Sequence, residues 1–257
     1  MRILVMGAGR MGTWLVEALS LDHQVAVYDQ DSRKLQYFFQ AKKLSALPEI
    51  RDLTPELMIN AVNLVHTRQA FEEVLSYLPE DCLLADIASV KTGLEDLYRT
   101  LGKRFVSTHP MFGPTFADVR DLQGENAILI EESDPAGKKF FRDFFQSLHL
   151  TVHEYSFEEH DRTIAYSLSV PFVSTLVFAA CMKKQEAPGT TFRKHMDIAR
   201  GLFSEDDQLL TEILFNPATI RQIERINSRL SFLTHIIRER DTEEMQKFLG
   251  KLRRNIA

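Results

Sequence analysis

A chain of 257 residues, 44% hydrophobic and 26% charged, has the composition of a globular protein with a substantial core, not of a disordered segment. Its formal net charge of −5 argues against a general nucleic-acid binder, because neutralising phosphates requires a basic surface. Cys82 and Cys181 lie in apolar runs without metal-ligand spacing, which argues against a disulfide scaffold or a zinc site.

The chain opens on RILVMGAGRMG, whose short apolar run leads straight into glycines and does not read as a signal peptide. Gly7, Gly9 and Gly12 form G-x-G-x-x-G. A second apolar run, QVAVYD, ends in Asp29, twenty-two residues after Gly7. A glycine turn between strand and helix lets backbone N–H groups approach a pyrophosphate, and an acidic residue at this distance suits the adenosine ribose. Gly7, Gly9, Arg10, Met11, Gly12 and Asp29 are therefore the candidate cofactor-binding residues. The Asp29 carboxylate would repel an extra phosphate, favouring NAD, although Arg33 nearby could accommodate one. The alternative is a glycine turn kept for packing alone.

Beyond these two runs, LMINAVN, CLLADIA, RFVST, NAILI and TVHEY also read as strands. TRQAFEEVLSYL, KTGLEDLYRTL and PAGKKFFRDFFQSLH lie between them with helical periodicity. This alternation predicts an α/β, doubly wound, mostly parallel sheet over residues 1–155. From 156 to 257 only helices are expected. FEEHDRTIAYSLSVPFVSTLVFAACMKK reads as one long helix kinked at Pro171. VPFVSTLVFAACM, the longest apolar run, falls short of the roughly 20 residues that span a bilayer. A cytoplasmic protein without membrane contact is expected.

Two segments at strand ends carry candidate chemistry, DIASVK with Ser89 and Lys91, and STHPMFGPT with His109 and Gly113. Ligands of open parallel sheets bind beyond the strand carboxyl ends, and an imidazole fixed there suits general base work. Blander readings make His109 a strand cap and Ser89 the N-cap of a helix beginning near Lys91. On the helical side Arg193 and Arg200 share one helix face. They suit carboxylate recognition, or else a surface ladder with Asp197.

Together with the glycine motif, DIASVK and HPMFGP resemble the prephenate dehydrogenase family, NAD(P)-dependent enzymes of tyrosine biosynthesis. The resemblance implies a Rossmann-like domain followed by an all-α dimerisation domain, and a homodimer. It implies NAD-dependent oxidative decarboxylation of prephenate to 4-hydroxyphenylpyruvate, with His109 as the catalytic histidine and Ser89 its companion near the substrate hydroxyl. Lys91, Gly113, Arg193 and Arg200 are the candidate substrate contacts for the dianionic substrate. His160 and Asp161 match a family pair to which a structural role is assigned. The chain departs from the family pattern at Gly201, where relatives place a substrate-binding arginine, and at Phe172, where many place a histidine. Alternatives are an arogenate dehydrogenase, a hydroxyacid dehydrogenase of the same plan, or a non-catalytic NAD-binding regulatory dimer. The sequence also leads one to expect neither an N-terminal mutase fusion nor a C-terminal β-containing regulatory domain.

Overall fold

The computed structural model describes residues 1–113, 117–119 and 121–256. In chain order the sheet region comprises β1 (Arg2–Met6), α1 (Arg10–Leu19), β2 (Gln24–Tyr28), β3 (Lys42–Lys43), α2 (Ile50–Leu53), β4 (Leu57–Asn60), α3 (Leu64–Val74) and β5 (Leu83–Asp86). It continues through α4 (Leu94–Leu101), β6 (Phe105–Pro110), β7 (Asn126–Ile130), α5 (Pro135–Ser147) and β8 (Thr151–Tyr155).

The eight strands form one sheet in the order β3-β2-β1-β4-β5-β6-β7-β8. All neighbours are parallel except β6 and β7, where His109 faces Ile128 in an antiparallel pair. The central strands are continuous apolar runs because both faces are covered. Ile3, Val5, Ile59 and Ala85 pack with Trp14 and Leu15 of α1 and with Phe141 and Phe145 of α5. Leu4, Met58 and Leu84, one pleat away, pack with Phe71 of α3 and Leu97 and Tyr98 of α4 on the other face. This is the expected doubly wound arrangement.

Three local readings change. β3 has no apolar signature, since its two exposed lysines join the sheet only through their backbone. α4 begins at Leu94, not Lys91, because Gly93 has φ +80° and breaks the helical path. That removes Ser89 as its N-cap. α3 begins at Leu64, earlier than its periodicity indicated.

Beyond Tyr155 the described residues form only helices: α6 (Phe157–Ser167), α7 (Ser169–Cys181), α8 (Thr190–Leu202), α9 (Asp207–Leu214), α10 (Thr219–Glu239) and α11 (Thr242–Asn255). Ser156 starts α6 with a capping box closed by Glu159. The break between α6 and α7 falls at Leu168, one residue beyond the carbonyl that the Pro171 ring would strike in a regular helix. Taken together Phe157–Cys181 spans 25 residues, long and apolar enough by length and composition to cross a membrane. Its first turns, however, are tied to the sheet through His160 and Asp161.

Candidate active site

The glycine loop separates two kinds of requirement. Gly7 has φ +100°, and a Cβ there would stand 2.9 Å from the Ala61 carbonyl oxygen. At Gly12 a Cβ would lie 2.0 Å from the Gly7 oxygen. Both glycines are imposed by the fold. Gly9 is different, because a Cβ there would meet nothing within 4 Å. Packing does not explain it; a ligand approaching the loop backbone would. The α1 N-terminus behind it has no side-chain cap and no acidic residue in its first turn, which suits a pyrophosphate.

Asp29, just past β2, supports the same loop. Its Oδ2 accepts from the Ala8 N–H at 2.8 Å and its Oδ1 from the Asp31 N–H at 2.8 Å, with Lys34 Nζ 3.3 Å away. Arg33 is committed to Asp31 through two hydrogen bonds of 2.8 and 2.9 Å, which hold the Asp31 carboxyl down at about 2. Met11 is partly buried against the sheet core. Arg10 reaches the helical region, donating to Glu205 Oε2 at 3.0 Å and the Ser204 carbonyl at 2.9 Å.

At the carboxyl ends of β5 and β6 lies a buried polar cluster. Lys91 turns its ammonium inward onto Asp86 Oδ1 at 2.5 Å and the Thr108 carbonyl at 2.8 Å. The Tyr98 hydroxyl donates to Asp86 Oδ2 at 2.7 Å. Burial, opposed by Asp86, lowers the Lys91 pKa; burial and Asp86 together raise that of Tyr98 well above the usual phenol range. Lys91 is thus fully enclosed, and its expected contact with substrate is corrected to a structural ion pair.

His109 is 4% exposed and its Nδ1 lies 2.9 Å from His160 Nε2. His160, entirely buried on α6, places its Nδ1 3.0 Å from Asp161 Oδ1. Asp161 also accepts from the Lys91 backbone N–H at 2.7 Å and the Thr92 hydroxyl at 2.6 Å, and Asn216 Nδ2 donates to its carbonyl. Burial, then His160 and Lys91, push the His109 pKa well below the imidazole range. His160 is lowered by burial and Lys91 against the pull of Asp161. Asp161 is lowered too, because hydrogen bonds from His160, Thr92 and Lys91 outweigh the effect of burial. Both shifts favour the neutral form of the imidazoles.

Of the other candidates, Ser89 is half-buried beyond the end of β5, and Gly113 lies near Glu205, whose Oε1 a Cβ would meet at 3.9 Å. Phe112 packs edge-on against Trp14 with ring centroids 5.0 Å apart, holding the loop after His109 against α1. Pro114, the last residue of the HPMFGP segment, lies outside the described residues. Arg193 and Arg200 are not brought to His109. Both are exposed on α8 with local partners, Thr190 Oγ1 at 3.4 Å and Asp197 Oδ1 at 2.8 Å. The ladder reading fits Arg200. The structure joins His160 and Asp161, an adjacent pair expected to be structural, to His109 in one hydrogen-bonded series.

Residues 17–144 match the family model for "Prephenate dehydrogenase, nucleotide-binding domain", a span that takes in Asp29, Ser89 and His109. The chain belongs to the prephenate dehydrogenase family. It is 24% identical over 226 residues to the T-protein of Enterobacter agglomerans, covering 83% of this chain and 56% of that protein. The chain spans about half the length of the curated relatives it matches. Among solved structures it is similar to prephenate dehydrogenase from Aquifex aeolicus, crystallised with hydroxyphenyl propionate and NAD+, at 21% identity and TM-score 0.84, covering 98% and 96% of the two chains. Arogenate dehydrogenase from Synechocystis shares 17% identity at TM-score 0.75, with 99% and 98% covered. These likenesses carry the fold of the family over the whole described chain.

Proposed function

We propose that this chain catalyses the NAD-dependent oxidative decarboxylation of prephenate to 4-hydroxyphenylpyruvate. The observation that carries the reading is His109, a neutral imidazole fixed at the carboxyl end of a strand in a nucleotide-binding sheet. Bound NAD would supply the hydride acceptor. Gly7, Gly9 and Gly12 would let the loop meet its pyrophosphate and Asp29 its ribose. Ser89 would hydrogen-bond the substrate hydroxyl beside His109. His109 would take the hydroxyl proton as hydride leaves the same carbon, so that positive charge does not build up there. The ring carboxylate departs as carbon dioxide, and the electron pair of the broken bond makes the ring aromatic.

The same reading makes the protein a cytoplasmic homodimer. α7 is strongly apolar, yet Ser169 alone of its residues is buried. Val177, Leu230 and Ile237 are at least half exposed, a poor match for a helix surface left in water. A second copy of the chain would cover them.

The direct test is to mix purified protein with NAD and prephenate and follow NADH absorbance, beside arogenate and hydroxyacid controls. Reduction with prephenate alone supports the proposal. Preference for arogenate reassigns the substrate within the family, and tight NAD binding without turnover on any of them selects a regulatory dimer.

A further inference from the structure

We infer that His160 and Asp161 are positioning residues that hold a proton on Nδ1 of His109 and thereby leave its Nε2 as the free base. The inference deepens the reading of His109 as proton acceptor and rests on it for its catalytic meaning, while the proton arrangement follows from the hydrogen-bond series and the neutral form of both rings.

Asp161 is the fixed end of the hydrogen-bonded series. Asp161 is surrounded by donors, the Lys91 N–H at 2.7 Å and the Thr92 hydroxyl at 2.6 Å, so its carboxylate acts only as an acceptor. The neighbouring His160 Nδ1, 3.0 Å from Oδ1, must then carry the hydrogen. A neutral imidazole has one N–H, so His160 Nε2 presents a lone pair. His109 Nδ1, 2.9 Å from that lone pair, must in turn be the donor. His109 is also neutral, which leaves Nε2 unprotonated. Among the described residues Nε2 accepts no hydrogen bond. Two imidazoles in series therefore transmit one carboxylate's preference over the distance from α6 to β6.

The charged and titratable groups around the pair agree with this order. Lys91 Nζ, held by Asp86 and the Thr108 carbonyl, disfavours a second positive charge on either ring. Tyr98 spends its proton on Asp86 and does not compete for the histidines. When His109 takes the substrate proton on Nε2, both its nitrogens carry hydrogen. The Nδ1–H then still points to a lone pair, and Asp161 stands behind His160 to offset the new charge. The opposite tautomer would present an N–H to the substrate hydroxyl and could not accept its proton.

The test is nitrogen-15 NMR of histidine-labelled whole protein at neutral pH, with the His109 signals identified by their loss in His109→Asn. The expected spectrum has His109 protonated at Nδ1 and bare at Nε2. Asp161→Asn, which substitutes a group able to donate, should convert nearly all of His109 to the Nε2–H form. It should lower kcat by roughly 10²–10⁴-fold, the scale of losing an orienting carboxylate. It should leave NAD affinity unchanged and move the acid limb of kcat to lower pH. His109 protonated at Nε2 in the wild type overturns the inference, whatever the variants do. So does an Asp161→Asn protein with unchanged tautomer and kcat. If the wild-type tautomer is as expected but His109→Asn still turns over normally, the base reading fails and the proton arrangement stands.

Discussion

Arg10 at the start of α1 and Glu205 between α8 and α9 form an ion pair across the two regions of the chain, 195 residues apart in sequence, with Nη1 and Oε2 3.0 Å apart. The guanidinium is half exposed, so the pair contributes little to stability, about 1 kcal/mol at most. Its place at the uncapped α1 N-terminus makes it a test of the proposed NAD binding. Arg10→Ala should weaken NAD binding by about two- to fivefold and Glu205→Gln, which removes the competing carboxylate charge while the Ser204 contact stays, should tighten it. Calorimetric titration with NAD checks both signs; equal shifts in one direction would rule out competition for Arg10.

Gly9 offers a cleaner test of the loop than its neighbours do. Since a Cβ at Gly9 meets only open space, Gly9→Ala should keep the wild-type melting temperature yet lose about tenfold or more in NAD affinity. Gly12→Ala, whose Cβ would press on the Gly7 oxygen, should unfold at lower temperature. Unchanged NAD binding by a stable Gly9→Ala protein would mean that the loop serves packing alone.

Asp29 is expected to decide between the two dinucleotides. Asp29→Ala removes the ribose acceptor and the charge that opposes a 2′-phosphate, so the ratio of NADP to NAD turnover should rise. It also strips the Ala8 N–H of its partner, so some NAD affinity is lost through the loop itself. A wild-type preference for NADP would show that this assignment is wrong.

His109→Asn retains polarity and similar bulk but cannot take up a proton. The expected loss is roughly 10²–10⁴-fold in kcat with NAD affinity kept. The working form is neutral, and burial with His160 and Lys91 lowers the pKa, so wild-type kcat should stay level through pH 6.5 and fall only in more acid solution. Stability has the same sign, because the unfolded chain binds more protons below about pH 6.5. Rate and denaturation profiles over pH 4–8 measure both; a rate midpoint at or above the ordinary imidazole value contradicts the burial argument.

The exposed apolar faces of α7 and α10 lead to a quaternary prediction. Light scattering at micromolar concentration should give twice the monomer mass, and charged substitutions at Val177 and Ile237 should halve it. A stable monomer in the unsubstituted protein would refute the proposed assembly.

What could be read from the sequence follows physical range. β1, α1 and β2 were legible because turn, apolar run and terminal Asp29 are local signals. His109 was legible because its Pro- and Gly-rich surroundings mark a fixed loop. The fate of Lys91 was not, since nothing in ASVK reveals that the ammonium folds back onto Asp86, five residues earlier, inside the core. The contact between His109 and His160 spans 51 residues and two kinds of element, a distance over which periodicity carries no information. Arg193 and Arg200 share a face as their spacing requires, but spacing does not say what that face meets.

The two-lysine strand at the margin of the sheet has a consequence for self-association. An edge strand invites another chain to extend the sheet, and a rim only two residues long, with both side chains cationic, discourages it through repulsion between copies. That rim disfavours sheet extension on the β3 side, where contact between copies would have to run through helices instead.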